Sequence, residues 1–335
     1  MPGPSQAFAD ALRRVVDGAI EAPVVTSYTR IGAEIRSRLD HWSAPRPGSL
    51  GGRVVLLTGG TSGLGRAAAS ALAGAGACVV ITGRTAMRSR EVAAQLARTS
   101  GGRVEAESCD LGDLDAVRAL AERVLARHDR LDVLVHNAGA LSATRHESPQ
   151  GFEHTVASQV YGPFVLTTAL LPLVQATGSG RVLTVSSGGM YTSRLEVEHL
   201  EMSPTAYRGA EQYARAKRAQ VTLNEMWAER TSDVVFHAMH PGWADTPGVA
   251  ESLPAFRRAV GPLLRTAAQG ADTLVWLAAG DHEPLASSGG FWLDRRRRGL
   301  HRLPHTALSD TPARRDALWR LVAERAGVDT VPVRG

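Results

Sequence analysis

Lysine is almost absent from this sequence of 335 residues, in which 37 of the 38 basic residues are arginine and one, Lys217, is lysine. A chain that uses arginine wherever a cation suffices has a chemical reason to keep one compact ammonium group. Cysteine is nearly as rare, with two residues, and aromatic side chains make up 5% of the chain. These shortages single out Lys217 before any motif is considered.

Metal-ligand spacing is also missing, because Cys78 and Cys109 are far apart and lie in apolar or strand-like stretches. We interpret both as buried thiols and expect no metal. No apolar run reaches the roughly 18 residues that a membrane-spanning helix needs. The first residues lack the basic-then-apolar pattern of a signal peptide, so we expect a cytoplasmic protein without a transmembrane segment.

Basic residues are in excess mainly at one end, since residues 294–335 hold ten Arg against five Asp and Glu. That local surplus equals the formal net charge of +5. The run Arg295-Arg296-Arg297-Arg298 can attract an acidic partner, but no interleaved aromatic residue or nucleic-acid motif accompanies it. We therefore interpret the run as a solvated loop and expect no nucleic-acid partner.

Residues 1–49 are predicted to form an N-terminal helical extension of two amphipathic segments, separated by Pro23. The apolar faces consist of Phe8, Leu12, Val15, Val16, Ala19 and Ile20, and of Tyr28, Ile31, Ile35, Leu39 and Trp42. We favour packing on the main body; oligomerisation and peripheral membrane contact are the alternatives. A Pro- and Gly-rich stretch then leads into a main domain that we assign to residues 50–335.

Short apolar runs alternate with helix-like stretches from Arg53 onward. The runs are Val54 to Thr58, Cys78 to Thr82, Val104 to Ser108, Val133 to His136, Val182 to Ser186 and Val234 to Met239. This alternation is typical of right-handed strand-helix-strand crossovers. It predicts an α/β fold, a Rossmann-type doubly wound parallel sheet in a single domain with helices on both faces.

A glycine-rich turn follows the first run and precedes an Ala-rich helix that we expect over 66–76. Glycines let the backbone turn tightly and approach a pyrophosphate, which the free N–H groups of the helix start then hold. The position between a strand and a helix makes the signal specific. The candidate cofactor-binding residues here are Thr58, Gly59, Thr61, Ser62, Gly63, Leu64 and Gly65.

Arg84 stands at the end of the second run, where many NAD-binding folds place an acidic residue for the ribose 2′-hydroxyl. A guanidinium cannot accept hydrogen bonds from that hydroxyl, but it pairs well with a 2′-phosphate. We therefore predict NADP(H) as the cofactor in preference to NAD(H). A solvated arginine near a helix cap is the alternative.

Two later turns supply further candidate cofactor contacts. Asp110, followed by Leu111, can accept a hydrogen bond from the adenine amino group, or it caps the helix that begins near Asp113. The second turn consists of Asn137, Ala138 and Gly139. Small residues let the backbone lie against the cofactor, although a plain turn would use them too.

Tyr213 and Lys217 are four residues apart and therefore neighbours on one face of a helix. A free tyrosine titrates near ~10, too high for proton transfer at neutral pH. A nearby ammonium favours the phenolate and lowers that pKa, which makes Tyr213 a usable general acid or base. Ser187, with Ser186 as the competing candidate, follows a strand-like run and can present its hydroxyl to the substrate oxygen.

Together these motifs resemble the short-chain dehydrogenase/reductase family, in order, over residues 53–293. The resemblance implies that Tyr213 exchanges the proton, while Ser187 orients the carbonyl or hydroxyl of the substrate. It implies that Lys217 binds the nicotinamide ribose and tunes Tyr213. The 26 residues from Ser187 to Tyr213 are a long spacing, similar to that of the retinol-dehydrogenase-like branch.

Longer segments, at 27–30, 185–190, 239–249 and 268–274, carry a closer resemblance to one member of that branch. It implies that Pro241, Gly242 and Thr246 line the site of the nicotinamide carboxamide, with a simple Pro-Gly turn as the alternative. Gln159 stands where relatives carry an Asn that helps hold a water in the proton path to the lysine. We therefore include it as a candidate catalytic residue whose longer side chain reaches a shifted position.

We predict an NADP-dependent oxidoreductase that transfers a hydride between NADP(H) and a carbonyl or alcohol group of an apolar small molecule. A C-terminal segment is expected to cover part of the substrate cleft. The apolar residues that flank the cleft or belong to the core are Met190, Tyr191, Trp243, Phe256 and Leu263. The alternatives are a non-catalytic NADP-binding sensor or scaffold, and an epimerase or dehydratase with the same Tyr-Lys pair.

Overall fold

Eight strands form one sheet in the order β3-β2-β1-β4-β5-β6-β7-β8 in the computed structural model, which describes residues 4–252 and 254–329. Strands β1 to β7 pair in parallel, and β8 runs antiparallel to β7. The strands are β1 (Val54–Leu57), β2 (Cys78–Gly83), β3 (Val104–Ser108), β4 (Val133–His136), β5 (Arg181–Val185), β6 (Val235–Met239), β7 (Gly290–Leu293) and β8 (Arg296–Arg298). The predicted α/β doubly wound sheet is thereby confirmed.

Fourteen α-helices occur within the described residues. They are α1 (Pro4–Glu21), α2 (Val24–Tyr28), α3 (Arg30–Leu39), α4 (Gly63–Gly74), α5 (Ala86–Ser100), α6 (Leu114–Arg127), α7 (His154–Val156), α8 (Gly162–Gln175), α9 (Gly209–Arg230), α10 (Pro247–Ser252), α11 (Pro254–Val260), α12 (Ala267–Ala279), α13 (Pro304–Ser309) and α14 (Pro312–Ala326). A π-helix, Ala157–Tyr161, joins α7 to α8, and a 3-10 helix, Gly188–Thr192, follows β5.

Helices cover both faces of the sheet, which explains why its central strands are apolar along their whole length. One core cluster lies between the sheet and α6, α8, α9 and α14. The other lies between the sheet and α4, α5 and α12. Successive residues of β1 alternate between them: Leu56 belongs to the first cluster, Val55 and Leu57 to the second. The strand order reverses at β1 and β4, so the crevice for a ligand lies at their carboxyl ends.

Helix α4 begins at Gly63 rather than at the predicted residue 66, because Ser62 is the extended residue that precedes the helix. The glycine turn is thus itself part of the helix start.

The sequence patterns did not predict the last two strands, β7 and β8. Strand β7 pairs with β6, and β8, which contains most of the basic run, folds back onto β7.

The prediction of a solvated loop for the four consecutive arginines is wrong. Arg296–Arg298 form β8, and carboxylates of the N-terminal extension and of α12 neutralise three of the four side chains. The pairs are Arg295 with Asp272 at 2.7 Å, Arg296 with Asp40 at 2.9 Å and Arg298 with Asp17 at 2.7 Å. This run therefore holds the N-terminal helices against the sheet.

The apolar face predicted for the second N-terminal segment is confirmed at Tyr28, which is buried, but not at Ile31 and Ile35. In α3 the buried residues include Ala33 and Arg36, whereas Ile31 and Ile35 are 40% and 38% exposed. Helix α3 is oriented by the ion pairs of Arg36 and not by its apolar stripe. The side chains of residues 4–12, which include Phe8 and Leu12 of the first predicted face, lie outside the described residues.

The stretch His154–Gln175 has the length and composition of a membrane-spanning helix, but 72% of its most apolar window is buried within the protein. It consists of α7, the π-helix and α8, and it packs in the core beside α6 and α14.

Of the two thiols predicted to be buried, Cys109 is buried and Cys78 is partly exposed.

Candidate active site

The carboxyl ends of β1 and β4 are joined by Thr58 and Asn137. The Thr58 hydroxyl donates to the carbonyl of Val135 at 3.1 Å and accepts from the N–H of Asn137 at 3.0 Å and of Ala138 at 3.2 Å. The Asn137 amide donates back to the carbonyls of Thr58 at 2.9 Å and Gly59 at 3.1 Å. These bonds fix the two strand ends that border the crevice.

Glycine is required in the turn after β1. Gly59 has a φ of +69°, and a Cβ there would lie 2.8 Å from the Cα of Ala138. A Cβ on Gly65 would lie 2.3 Å from the carbonyl oxygen of Gly59. The turn and the first helical residues are therefore packed backbone against backbone, as the glycine motif predicts.

The N-terminus of α4 offers backbone N–H groups to an anion. Ser62 precedes the helix, and its side chain makes no capping hydrogen bond. Gly63 has a φ of +51° and lies beside Thr246, because a Cβ placed on Gly63 would be 3.4 Å from the Cβ of Thr246. Leu64 lies against Gly270 of α12 and closes this end on the core side. The predicted turn residues and Thr246 thus meet at one helix end, which is suited to a phosphate.

Arg84 is an exposed residue directly after β2, at the edge of the same crevice. The preceding Gly83 lies against Thr61 of the glycine turn, because a Cβ there would be 2.6 Å from the Thr61 methyl. Arg84 also helps to lower the pKa of Asp110. Arg84 therefore follows a residue that touches the glycine turn, and its charge reaches Asp110 at the end of β3.

Asp110 does not cap the following helix, since Asp113 accepts from the N–H groups at the start of α6. Instead, Asp110 accepts from the N–H of Gly112 at 2.9 Å and lies 3.4 Å from His154 Nε2. The hydrogen bond with His154 is the main cause that lowers the pKa of Asp110. His154 was missed in the sequence, where no local pattern relates it to Asp110. Leu111 is buried in the core.

Tyr213 and Lys217 lie on α9, with the Lys217 Nζ 5.3 Å from the centroid of the Tyr213 ring. The ammonium donates to the carbonyl of Val185, the last residue of β5, at 3.0 Å. Burial lowers the pKa of Lys217 to about 7. Burial also raises the pKa of Tyr213 to about 12, against a smaller lowering by its hydrogen bond with Ser187. The expected lowering by Lys217 is therefore not observed, because burial disfavours both charged forms.

Ser187 and not Ser186 is the serine beside Tyr213. Ser187 hydrogen-bonds the Tyr213 side chain and accepts from the N–H of Gly189 at 3.2 Å. The hydroxyl of Ser186 instead donates to the backbone carbonyl of Lys217 at 3.4 Å. The structure brings Ser187, Tyr213 and Lys217 together at the carboxyl end of β5.

Gln159 lies in the π-helix, a local irregularity that is common at functional sites. Its Nε2 donates to the carbonyl of Ala140 at 2.9 Å. A Cβ on Gly139 would lie 3.0 Å from the Gln159 Oε1 and 3.2 Å from the Lys217 Nζ. The amide of Gln159, the ammonium of Lys217 and the backbone after β4 therefore converge, and the missing Cβ of Gly139 makes room for them.

Gln159 also lines a small cavity of about 30 Å³. Its polar lining includes His136, Gln159, Gln220 and Asn224, and several of these buried polar atoms have no protein partner. A cavity of this size with several unpartnered polar atoms can hold water. Gln159 thus borders both the surroundings of Lys217 and this cavity.

Pro241 and Gly242 follow β6, and Pro241 lies, like Leu64 of α4, against Gly270 of α12. A Cβ on Gly242, whose φ is +70°, would lie 2.4 Å from Arg265 Nε. Trp243 packs edge-on against Phe256 with 5.1 Å between ring centroids. Of the other apolar candidates, Leu263 is partly buried, and Met190 and Tyr191 belong to the core.

The C-terminal helices were predicted to cover part of the substrate cleft. Helix α13 reaches the 3-10 helix after Ser187, where His305 hydrogen-bonds the carbonyl of Thr192 at 3.3 Å. Helix α14 packs instead on α8, α9 and the π-helix. The C-terminal segment therefore borders the site with α13 and completes the core with α14.

Residues 53–255 match the family model described as short chain dehydrogenase. Dehydrogenase/reductase SDR family member 12 of Homo sapiens is 37% identical over 276 residues, covering 82% of this chain and 86% of that protein. Retinol dehydrogenase 14 of Mus musculus is 31% identical, covering 84% and 88% of the two chains. The resemblance to the retinol-dehydrogenase-like branch is thereby confirmed.

Two further similarities bear on ligands. DnrU of Streptomyces sp. (strain C5), to which daunorubicin C-13 ketoreduction is provisionally ascribed, is 38% identical, covering 74% of this chain and 85% of that protein. A crystal structure ascribed to a short chain dehydrogenase of Escherichia coli CFT073, complexed with NADPH, superposes with a TM-score of 0.63 at 26% identity. The superposition covers 75% of this chain and all of that chain.

Proposed function

This chain belongs to the short-chain dehydrogenase family, and we propose that it transfers a hydride between NADP(H) and the carbonyl or alcohol group of an apolar small molecule. The observation that carries the proposal is the meeting of Ser187, Tyr213 and Lys217 at the end of β5. A phenol, a hydroxyl and a buried ammonium in one place are the groups that proton transfer at a carbonyl oxygen requires.

Tyr213 serves as the proton donor in the direction of reduction. A phenol whose pKa is raised to about 12 is protonated at neutral pH and can give its proton to the substrate oxygen. Ser187 hydrogen-bonds the same phenol and is placed to orient that oxygen. Lys217 Nζ has further donors beyond the bond to Val185, and these suit the hydroxyls of a ribose. The protein thus supplies one proton and the positioning groups.

NADP(H) fits the residues at the carboxyl edge of the sheet. The α4 start, where Ser62 leaves the N–H groups uncapped, suits the pyrophosphate, and the exposed Arg84 suits a 2′-phosphate. The backbone of Asn137 to Gly139 and the Pro241-Gly242 turn border the path between this helix start and Tyr213. When bound, NADPH supplies the hydride that reduces the carbonyl carbon.

Three observations support an apolar carbonyl compound as the substrate. Trp243 and Phe256 pack together in the segment that follows β6, beside the candidate site. DnrU is provisionally named for ketoreduction of daunorubicin at C-13, and another relative is named for retinol. Together with the aromatic pair, these two names favour an apolar carbonyl or alcohol as the substrate class.

The proposal is tested by measuring NADPH and NADH oxidation by absorbance with a panel of aldehydes, ketones, retinoids and steroids. We expect turnover with at least one apolar carbonyl and a preference for NADPH of at least about tenfold, the value of one charge-assisted hydrogen bond. NADPH binding without oxidation in the presence of every carbonyl contradicts the proposed reaction. A tenfold preference for NADH contradicts the cofactor assignment alone.

A further inference from the structure

Tyr28 connects the N-terminal extension to the candidate active site. It ends α2, lies outside the residues that match the family model, and is 4% exposed. Burial raises the pKa of its phenol to about 12, so the side chain is neutral. A residue from outside the family core is therefore buried inside it.

The Tyr28 ring lies directly under Gly188, the residue after Ser187. A Cβ on Gly188 would be 3.0 Å from the Cε2 of Tyr28, closer than side chains normally approach. Gly188 begins the 3-10 helix for which Ser187 is the N-cap. The ring therefore limits how closely the backbone beside Ser187 can approach the N-terminal extension.

The backbone of Tyr28 holds the other side of the site. Its carbonyl accepts from the N–H of Trp243 at 2.7 Å, and its ring packs edge-on against Trp243 with 5.8 Å between centroids. A Cβ on Gly242 would lie 2.7 Å from the same carbonyl oxygen. Tyr28 thus contacts both loops that border the Tyr-Lys pair, the one after β5 and the one after β6.

Buried charges hold this segment in place. Arg265, which is 1% exposed, donates to the carbonyls of Ser27 at 2.7 Å, Tyr28 at 3.0 Å and Thr29 at 3.2 Å. The same guanidinium pairs with Asp294, whose other partner is Arg36 at 2.7 Å. Arg36 in turn pairs with Asp17 at 2.7 Å. The extension is therefore held to the main domain by the bonds of Arg265 and by the Arg36–Asp294 pair. Tyr28 belongs to the segment that Arg265 holds.

We infer that Tyr28 is a positioning residue of the active site, and that the N-terminal extension is a working part of it. The ring supports the loop after β5, which carries Ser187, and the carbonyl holds the loop after β6, which carries Trp243. Tyr28 therefore sets the distance between the Ser187 hydroxyl and the side of the substrate site that Trp243 borders. This inference rests on the proposed function, because it concerns the same Ser187 and Tyr213. A positional error near 1 Å at such a site can lower a rate by about a hundredfold.

A double-mutant series tests the inference in the full chain. Gly188→Ala adds the methyl group that meets the ring, Tyr28→Met replaces the ring by a flexible side chain, and Tyr28→Phe keeps the ring as the matched control. The readouts are kcat for carbonyl reduction, the KM for NADPH and the thermal midpoint. We expect Gly188→Ala to lower kcat by at least about tenfold with an unchanged KM for NADPH. Tyr28→Met alone should also lower kcat, because it removes the ring that supports the loop after β5. In the Gly188→Ala background it should restore part of the loss, because the added methyl group then has room, whereas Tyr28→Phe should restore none.

Equal effects of Tyr28→Met and Tyr28→Phe on the Gly188→Ala variant overturn the inference. It is also overturned if the substitutions change the thermal midpoint but leave kcat unaltered, since that result describes a structural role only. If Tyr28→Met does not fold, Tyr28→Leu takes its place, and an unchanged kcat in Gly188→Ala alone still overturns the idea. A wild-type protein that reduces no carbonyl refutes the proposed function instead, so the two failures are distinguishable.

Discussion

The Nζ of Lys217 lies 5.3 Å from the centroid of the Tyr213 ring while it donates to the carbonyl of Val185 at 3.0 Å. One ammonium thus links the helix that carries the phenol to the end of the central strand. The space around it is small, since a Cβ on Gly139 would come within 3.2 Å of the Nζ. A compact cation fits there and a planar guanidinium does not, which explains the single lysine of an arginine-rich chain.

Lys217→Arg is expected to lower turnover by at least about a hundredfold, the low end of what positioned acid–base catalysis contributes. The longer guanidinium displaces either Gln159 or the backbone after β4. The measurement is kcat with saturating NADPH and carbonyl substrate. Arg215→Lys, on the partly exposed side of the same helix, is the matched control and should keep wild-type turnover. Turnover within threefold of wild type in Lys217→Arg would contradict the explanation for the single lysine.

The stability of the cofactor-free protein should depend on pH through Lys217. Burial lowers its pKa from 10.5 to about 7, so the unfolded chain binds the proton more tightly than the folded one. The resulting penalty is absent above the unfolded pKa, grows as the pH falls, and is complete below the folded pKa. The free energy of unfolding of Lys217→Met should therefore exceed that of wild type by more at about pH 7 than at about pH 10. Urea denaturation at the two pH values measures this, and equal differences would contradict the lowered pKa.

Arg84→Ala should weaken NADPH binding relative to NADH binding by about tenfold or more, because it removes a charged partner of the 2′-phosphate. The dissociation constants of both cofactors, from fluorescence titration, give the ratio. Arg88→Ala, at an exposed position on α5 next to Glu91, is the control and should leave the ratio unchanged. An unchanged ratio in Arg84→Ala assigns 2′-phosphate recognition to another residue.

Arg36→Met should destabilise the protein by about 3 kcal/mol, the low end for a broken buried pair, because its carboxylates lose a shared cation but keep partners such as Arg265 and Arg298. Its guanidinium is fully buried and pairs with Asp17, Glu21 and Asp294. The matched control is Arg257→Met, which removes the pair with Asp245. The side chains of Arg257 and Asp245 are 48% and 42% exposed, so we expect the free energy of unfolding to change by less than about 1 kcal/mol. Urea denaturation compares the two variants. Similar losses in both would show that the buried network is not what anchors the extension.

Local patterns in the sequence predicted the sheet, the glycine turn and the Tyr-Lys pair. Such features depend on neighbours within a few residues: Gly59 is required by its own φ, and Tyr213 meets Lys217 through helical periodicity. The ion pair of Arg36 with Asp294 and the hydrogen bond from Arg265 to the carbonyl of Tyr28 each join residues more than 200 positions apart, and no periodicity records them. For this reason the apolar stripe on α3 was misleading.

The same distinction explains what the sequence left open. Ser187 was the preferred candidate with Ser186 as the alternative, and only the turn after β5 shows which hydroxyl reaches Tyr213. The basic run was interpreted without its partners Asp17 and Asp40, which come from the opposite end of the chain. Charge runs are therefore informative only once the facing charges are known.

The most direct test of the account compares single-turnover hydride transfer from NADPH to a carbonyl substrate in the wild-type protein and in Tyr213→Phe. The change removes one oxygen atom and keeps the ring, so the cofactor dissociation constant should stay the same. We predict a rate that falls by about a hundredfold to ten-thousandfold, the contribution of a positioned general acid. An equal rate in the two proteins, with equal NADPH binding, would contradict the assignment of Tyr213 as the proton donor.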